Sequence, residues 1–170
     1  MVRKCILGLQ LLITGGLLAP SFSKDLFTLY GDVMQIALPS VALGRTLYLK
    51  DRKGSLQFAE SYGSTMATTY LLKYTVNEKR PNGGKHSFPS GHTASAFSGA
   101  WFLWKRYGPE WGVPSVALAS LVGFSRVHAR AHYWKDVIAG AVLSGIFTLI
   151  FTRRFRAEVS GKGFTFEYSF

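Results

Sequence analysis

The chain has 170 residues, 48% of them apolar and 15% aromatic, with 20 Lys and Arg against 9 Asp and Glu for a formal net charge of +11. That length supports one domain with a real core and excludes two, and the apolar content excludes a disordered chain. The charge calls for an anionic partner, while the absence of zinc-finger spacing, an RNA-binding signature or a lysine-rich tail argues against nucleic acid.

The single cysteine, Cys5, rules out an internal disulfide and a cysteine-based metal site. Cys5 to Ala19 is apolar except for Gln10 and Thr14, follows Arg3 and Lys4, and is followed by Pro20, Ser21 and Ser23. Residues 1–23 therefore read either as a cleaved signal peptide or as an uncleaved first transmembrane helix.

Residues 24–157 read as one helical domain. Val33 to Leu49 is apolar, with Pro39 placed to kink it, and Lys50-Asp51-Arg52-Lys53-Gly54 breaks it. Phe58 to Tyr74 is helical in composition, and Pro81-Asn82-Gly83-Gly84 is a turn. Thr93 to Trp104, Val113 to Phe124 and Val137 to Phe151 are further apolar runs. With no strand-like alternation before residue 158, the prediction is an all-α bundle of about five to six helices with the site at one end. Within the tail, 158–170, Gly163 to Phe170 alternates aromatic and polar residues like a strand.

If each apolar run crosses a bilayer from an inside N-terminus, Arg3/Lys4, Lys50/Arg52/Lys53, Lys105/Arg106 and Arg153/Arg154/Arg156 all lie inside, as the positive-inside rule asks. The regions 73–92 and 126–136 then face outward. Against this, no run reaches 18 clean apolar residues and mean hydropathy is only +0.14, which also suits a soluble bundle. The expectation is a bacterial-type inner membrane location with a periplasm-facing site, or the periplasm itself.

Three stretches carry the chemistry. Lys73 and Arg80, seven apart, are predicted on one helix face that Pro81 then ends, so that both cations converge on one anion. Pro89-Ser90-Gly91-His92-Thr93 precedes an apolar run: Ser90 is a good N-cap, Gly91 permits close approach, and His92 in the first turn sits beside whatever anion the free N–H groups attract. Ser125-Arg126 is followed by His132 and Asp136, a spacing that lets the carboxylate orient the imidazole on a helix. Each stretch alone also fits an ordinary surface feature.

Together and in order, Lys73-x6-Arg80-Pro81, Pro89-Ser90-Gly91-His92 and Ser125-Arg126-x5-His132-x3-Asp136 resemble the type-2 phosphatidic acid phosphatase family, which includes lipid phosphatases, bacterial acid phosphatases and vanadium haloperoxidases. The resemblance implies a phosphatase in which His132 attacks phosphorus, Asp136 orients it, and His92 serves as proton donor and then base. It implies that Lys73, Arg80, Ser90, Gly91 and Arg126 hold the phosphoryl oxygens. No metal or other cofactor is implied, and the substrate is a phosphorylated lipid or isoprenoid diphosphate, or alternatively a small phosphomonoester cleaved by a soluble periplasmic enzyme. A haloperoxidase would be far larger. His86 and His128 lie outside the motifs, and Tyr133 and Trp134 are placed as a substrate wall. Two readings from other classes compete: a Ser90–His132–Asp136 acyl hydrolase, which lacks the Gly-x-Ser-x-Gly elbow, and an anionic-lipid-binding protein without activity.

Overall fold

A computed structural model of the protein describes residues 19–160 and 163–167, with side chains placed for 26–155. The signal or first-span reading of residues 1–23 falls mostly outside that range. Five helices are described: α1 Ala19–Tyr48, α2 Arg52–Val76, α3 Gly91–Tyr107, α4 Pro109–His128 and α5 Trp134–Phe151. An antiparallel hairpin follows, β1 Arg156–Ser160 and β2 Gly163–Glu167, with Arg156 opposite Glu167 and Ser160 opposite Gly163. The all-α expectation holds, and the strand-like tail is half of a two-stranded ribbon. Pro39 lies inside α1 as expected.

The central element is α3, which packs on α1, α2, α4 and α5. Its residues from Thr93 to Ala100 are all buried. They are small or slender apart from Phe97, so neighbouring backbones come close, a mode that does not depend on bulky apolar side chains. At one of these contacts a Cβ on Gly140 of α5 would sit 2.7 Å from the Ser90 carbonyl oxygen. Only glycine fits there, and the contact holds α5 against the N-terminus of α3. Two apolar clusters fill the rest: Leu38, Ala96, Phe97, Ala100, Ala119 and Val122 in one, and Ala42, Phe58, Phe102 and Leu103 in the other.

The end of the bundle away from the motifs is tied by a buried ion pair. Arg106 donates to both carboxylate oxygens of Asp51, and neither side chain is exposed to solvent. Tyr107 donates to the same carboxylate at 2.9 Å, and Arg106 also reaches the Gln57 amide oxygen and the Arg153 carbonyl. The α1–α2 turn, the end of α3 and the segment after α5 thus meet at one place. Arg106, counted in the sequence among the basic residues of the inside ends, is buried and paired.

Two helical stretches, Leu26–Tyr48 and Trp134–Phe151, are long and apolar enough to cross a membrane, and their most apolar windows are only 22% and 28% buried. On α5 the side chains of Ile138, Val142, Ile146 and Leu149 are all exposed. Their spacing of four, four and three makes one continuous outward stripe.

Candidate active site

The ends of α2 and α4 and the starts of α3 and α5 gather the three motifs at one end of the bundle. A cavity of about 540 Å³ there is lined at one side by Lys73, Arg80, Gly91, His92 and His132. It continues along Gln35 and Ile36 of α1 and Tyr62, Met66 and Tyr70 of α2.

Lys73 and Arg80 do meet, but not on one helix face. Asn77, in the left-handed conformation at φ 45°, ends α2 only four residues after Lys73. Its short polar side chain tolerates that conformation where most residues do not. Arg80 therefore comes from the following loop, braced by its Nε donating to the Lys85 carbonyl at 3.1 Å. Lys73 Nζ donates to the His86 carbonyl at 3.1 Å, and His86 Nδ1 pairs with the Lys73 carbonyl at 2.9 Å. His86, outside the motifs, is thus a brace for the cation-bearing turn.

Ser90 is the N-cap of α3, as predicted, with its hydroxyl accepting from Thr93 N at 3.4 Å and Thr93 Oγ1 at 3.0 Å. The Ser90 side chain is fully buried and does not line the cavity. Gly91 and His92 follow in the first turn and do line it.

The His132–Asp136 pair forms, at 3.6 Å between Nδ1 and Oδ2, but not as two residues one turn apart on a helix. His132 lies in the α4–α5 loop, and Asp136 occupies the third position of α5 in a capping box with Tyr133. Asp136 Oδ2 accepts from Tyr133 N at 3.0 Å and from Ser87 Oγ at 2.5 Å. Ser87 also lies 3.5 Å from His132 Nδ1 and is fully buried. No motif in the sequence singled out Ser87; its position three residues before Ser90 was the only cue. Burial first, then the neighbouring charges of Lys73 and Arg80, push the His132 imidazole down to about 4 against the opposing pull of Asp136. At neutral pH the ring is uncharged and its Nε2 lone pair is available.

Arg126 is held away from the cavity lining. Its Nε donates to Ser125 Oγ at 3.1 Å, one terminal nitrogen to Asp32 Oδ1 at 2.6 Å and the other to the Thr28 carbonyl. Asp32 Oδ1 is also 3.0 Å from His92 Nε2, so Arg126 and His92 share one carboxylate oxygen. Asp32 was not anticipated, because it lies 60 residues before His92 in an apolar segment. His128 packs edge-on against Phe27, and Tyr133 and Trp134 are exposed without lining the cavity. Ser90 makes no hydrogen bond to His132, which removes the geometry that an acyl hydrolase would need.

The arrangement offers an uncharged imidazole backed by a carboxylate, the further imidazoles of His92 and His86, and three cations, Lys73, Arg80 and Lys85, around one cavity. Such a set binds a tetrahedral anion and transfers it. A family model described as the PAP2 superfamily matches residues 82–160. A lipid A 4'-phosphatase of Helicobacter pylori is 31% identical over 140 residues, covering 75% of this chain and 70% of that protein. The chain belongs to the PAP2 superfamily. It is a phosphatase of the type-2 phosphatidic acid phosphatase kind.

Other relatives share less of their length with this phosphatase. A lipid A 1-phosphatase of Porphyromonas gingivalis is 39% identical over 75 residues, which cover 42% of this chain and 17% of that protein. Two crystal structures share the fold: LpxE of Aquifex aeolicus, with TM-score 0.67 at 23% identity over 76% of this chain and 84% of that one; and a transmembrane PAP2-type phosphatidylglycerolphosphate phosphatase of Bacillus subtilis, with TM-score 0.63 at 21% identity over 76% and 74%.

Proposed function

We propose that the protein is a membrane-embedded lipid phosphatase that works through a phosphohistidine on His132. The observation that carries the lipid reading is the two-sided cavity, cationic around Lys73, Arg80 and His132 and apolar and aromatic along Ile36, Tyr62, Met66 and Tyr70. A headgroup phosphate suits the first side and an acyl or prenyl chain the second. The outward apolar stripe of α5 and the sparse burial of both long apolar stretches support a lipid surrounding. Basic residues at the Asp51–Arg106 end favour that end inside, which turns the cavity outward toward a periplasm-like space.

In this scheme the Asp136 carboxylate, 3.6 Å from His132 Nδ1, keeps the proton on that nitrogen and stabilises the charge that develops on the ring, and the Nε2 lone pair attacks phosphorus. The P–O bond to the lipid breaks as His92 gives a proton to the leaving oxygen. Water then attacks the phosphohistidine, His92 takes its proton, the P–N bond breaks and inorganic phosphate leaves. Lys73, Arg80 and the Gly91 N–H stabilise the phosphoryl oxygens, with Arg126 and Ser90 behind them.

The relatives named for lipid A put lipid A phosphate at the head of the substrate panel, with phosphatidate, phosphatidylglycerol phosphate and isoprenoid diphosphates beside it. Phosphate release from each, and from p-nitrophenyl phosphate, by the full chain in detergent tests this. Turnover of one lipid with kcat/KM well above that of p-nitrophenyl phosphate supports the reading. Equal use of small soluble esters by a chain that stays in solution without detergent supports the acid phosphatase alternative and sinks the lipid reading.

A further inference from the structure

Asp32 lies in α1, outside every motif, yet its carboxylate is the one group that touches both His92 and Arg126. Oδ1 is 3.0 Å from His92 Nε2 and 2.6 Å from an Arg126 nitrogen. The placement is built rather than incidental. A Cβ on Gly31 would run into Ser125 Oγ and the Arg126 guanidinium, so glycine at 31 is what lets Arg126 lie on α1 beside Asp32. The helix is pinned on both flanks: Tyr30 Oη donates to the Leu118 carbonyl of α4 at 3.0 Å, and Ser95 Oγ of α3 donates to the Gln35 carbonyl at 2.7 Å. Asp32 also sits one turn before Gln35 and Ile36, which line the cavity.

We propose that Asp32 is a positioning residue for the proton donor: it accepts from His92 Nε2–H, fixes the imidazole's orientation and leaves Nδ1 as the nitrogen that exchanges the proton with the leaving oxygen and then with water. The proposal rests on the reading of His92 as general acid. The proton balance is simple. Doubly protonated His92 loses its Nδ1 proton as the P–O bond breaks, keeps its Nε2 proton on the Asp32 side throughout, and regains a proton at Nδ1 from the attacking water. Asp32 exchanges no proton in this cycle. The Asp32 carboxylate matters because the imidazolium otherwise faces the Arg126 and Arg80 guanidiniums without a counter-charge. Arg126 of α4 and Arg80 of the α2–α3 loop act on it directly, Lys73 of α2 lines the same cavity, and His132 of the α4–α5 loop stands nearby as an uncharged ring. A carboxylate between His92 and Arg126 lets both be charged at once.

The test compares kcat/KM for two substrates, a short-chain glycerolipid phosphate with a poor alkoxide leaving group and p-nitrophenyl phosphate, whose leaving group departs without a proton. In Asp32→Asn the lipid-type substrate should fall roughly 10²-fold, p-nitrophenyl phosphate should change far less, and the basic limb of the pH profile should move to lower pH. Vanadate, as a phosphate mimic, should bind Asp32→Asn at least as tightly as the native chain. Equal losses on both substrates, or loss of vanadate binding together with activity, would mean that Asp32 acts only on the phosphate cage or the fold, and would overturn the proposal. A rise in activity would overturn it too, since Asp32 would then merely compete with phosphate. His92→Ala is the control for the underlying reading: if it treats the two substrates alike, the general-acid assignment fails and the proposal with it. If His92→Ala discriminates between them and Asp32→Asn does not, the proposal alone fails.

Discussion

The Ser87 hydroxyl donates to Asp136 Oδ2 at 2.5 Å, on the same carboxylate oxygen that faces His132 Nδ1 at 3.6 Å. The serine therefore competes with the histidine for one acceptor while fixing where that acceptor sits. Ser87→Ala should leave KM near its native value and lower kcat roughly 10-fold, because a freed carboxylate no longer holds the imidazole at one angle. Steady-state kinetics on any accepted substrate decide it. A change confined to KM would show that Ser87 serves binding instead.

His132→Ala should abolish phosphate release while leaving thermal unfolding close to that of the native chain. Enzyme incubated with phosphorus-32-labelled substrate and quenched in alkaline detergent should carry an acid-labile, base-stable label in the native chain and none in the variant. Retained activity in His132→Ala would remove the nucleophile from the scheme.

The depressed His132 value has a sign that can be checked. Because the folded-state value of about 4 lies below the ordinary 6.5, the ring stays uncharged in the native state while the unfolded chain takes up a proton between those values. The acid limb of kcat/KM that belongs to the nucleophile should therefore fall near pH 4, not near 6.5. Stability should decline as pH drops from about 6.5 to about 4. An acid limb close to 6.5 that is matched by the NMR titration of the His132 ring itself would contradict the burial argument.

Chelators should leave activity unchanged, and vanadate should inhibit. The cavity wall carries Lys73, Arg80 and Lys85, whose charges repel a divalent cation, and among the described residues no group of three or more acidic, histidine or cysteine side chains converges. Phosphate release measured with and without EDTA checks this, and strong loss restored by added metal would refute it.

Asp51→Ala should cost about 3–5 kcal/mol, since it strands the Arg106 guanidinium in a site with no solvent access. The readout is a lowered unfolding midpoint in detergent. Arg106→Met together with Asp51→Leu should be milder than Asp51→Ala alone, because neither charge is then left buried.

The candidate set was legible because its residues are chemically distinctive and locally spaced: Ser90 caps the helix that carries Gly91 and His92, and Pro81 and Asn82 mark the turn behind Arg80. Two local geometries departed from that reading. The helix bearing Lys73 ends at Val76, because Asn77 adopts a left-handed cap that spacing arithmetic does not reveal. The His132–Asp136 pair meets across a helix start, because Tyr133 and Asp136 close a capping box there.

Hydropathy, the basic clusters and the three ordered motifs determined the helical class, the apolar segments and the residues proposed to handle phosphate. Those are properties of short stretches, set by side-chain polarity and by backbone preferences a few residues long. Tertiary structure alone decided that Asp32 meets His92 and Arg126, that Ser87 holds Asp136, and that Arg106 is buried on Asp51. These contacts span 49 to 94 residues. They exist only because small residues let α3 draw four other helices close around it, and no local pattern encodes which distant side chains such packing brings within hydrogen-bond reach.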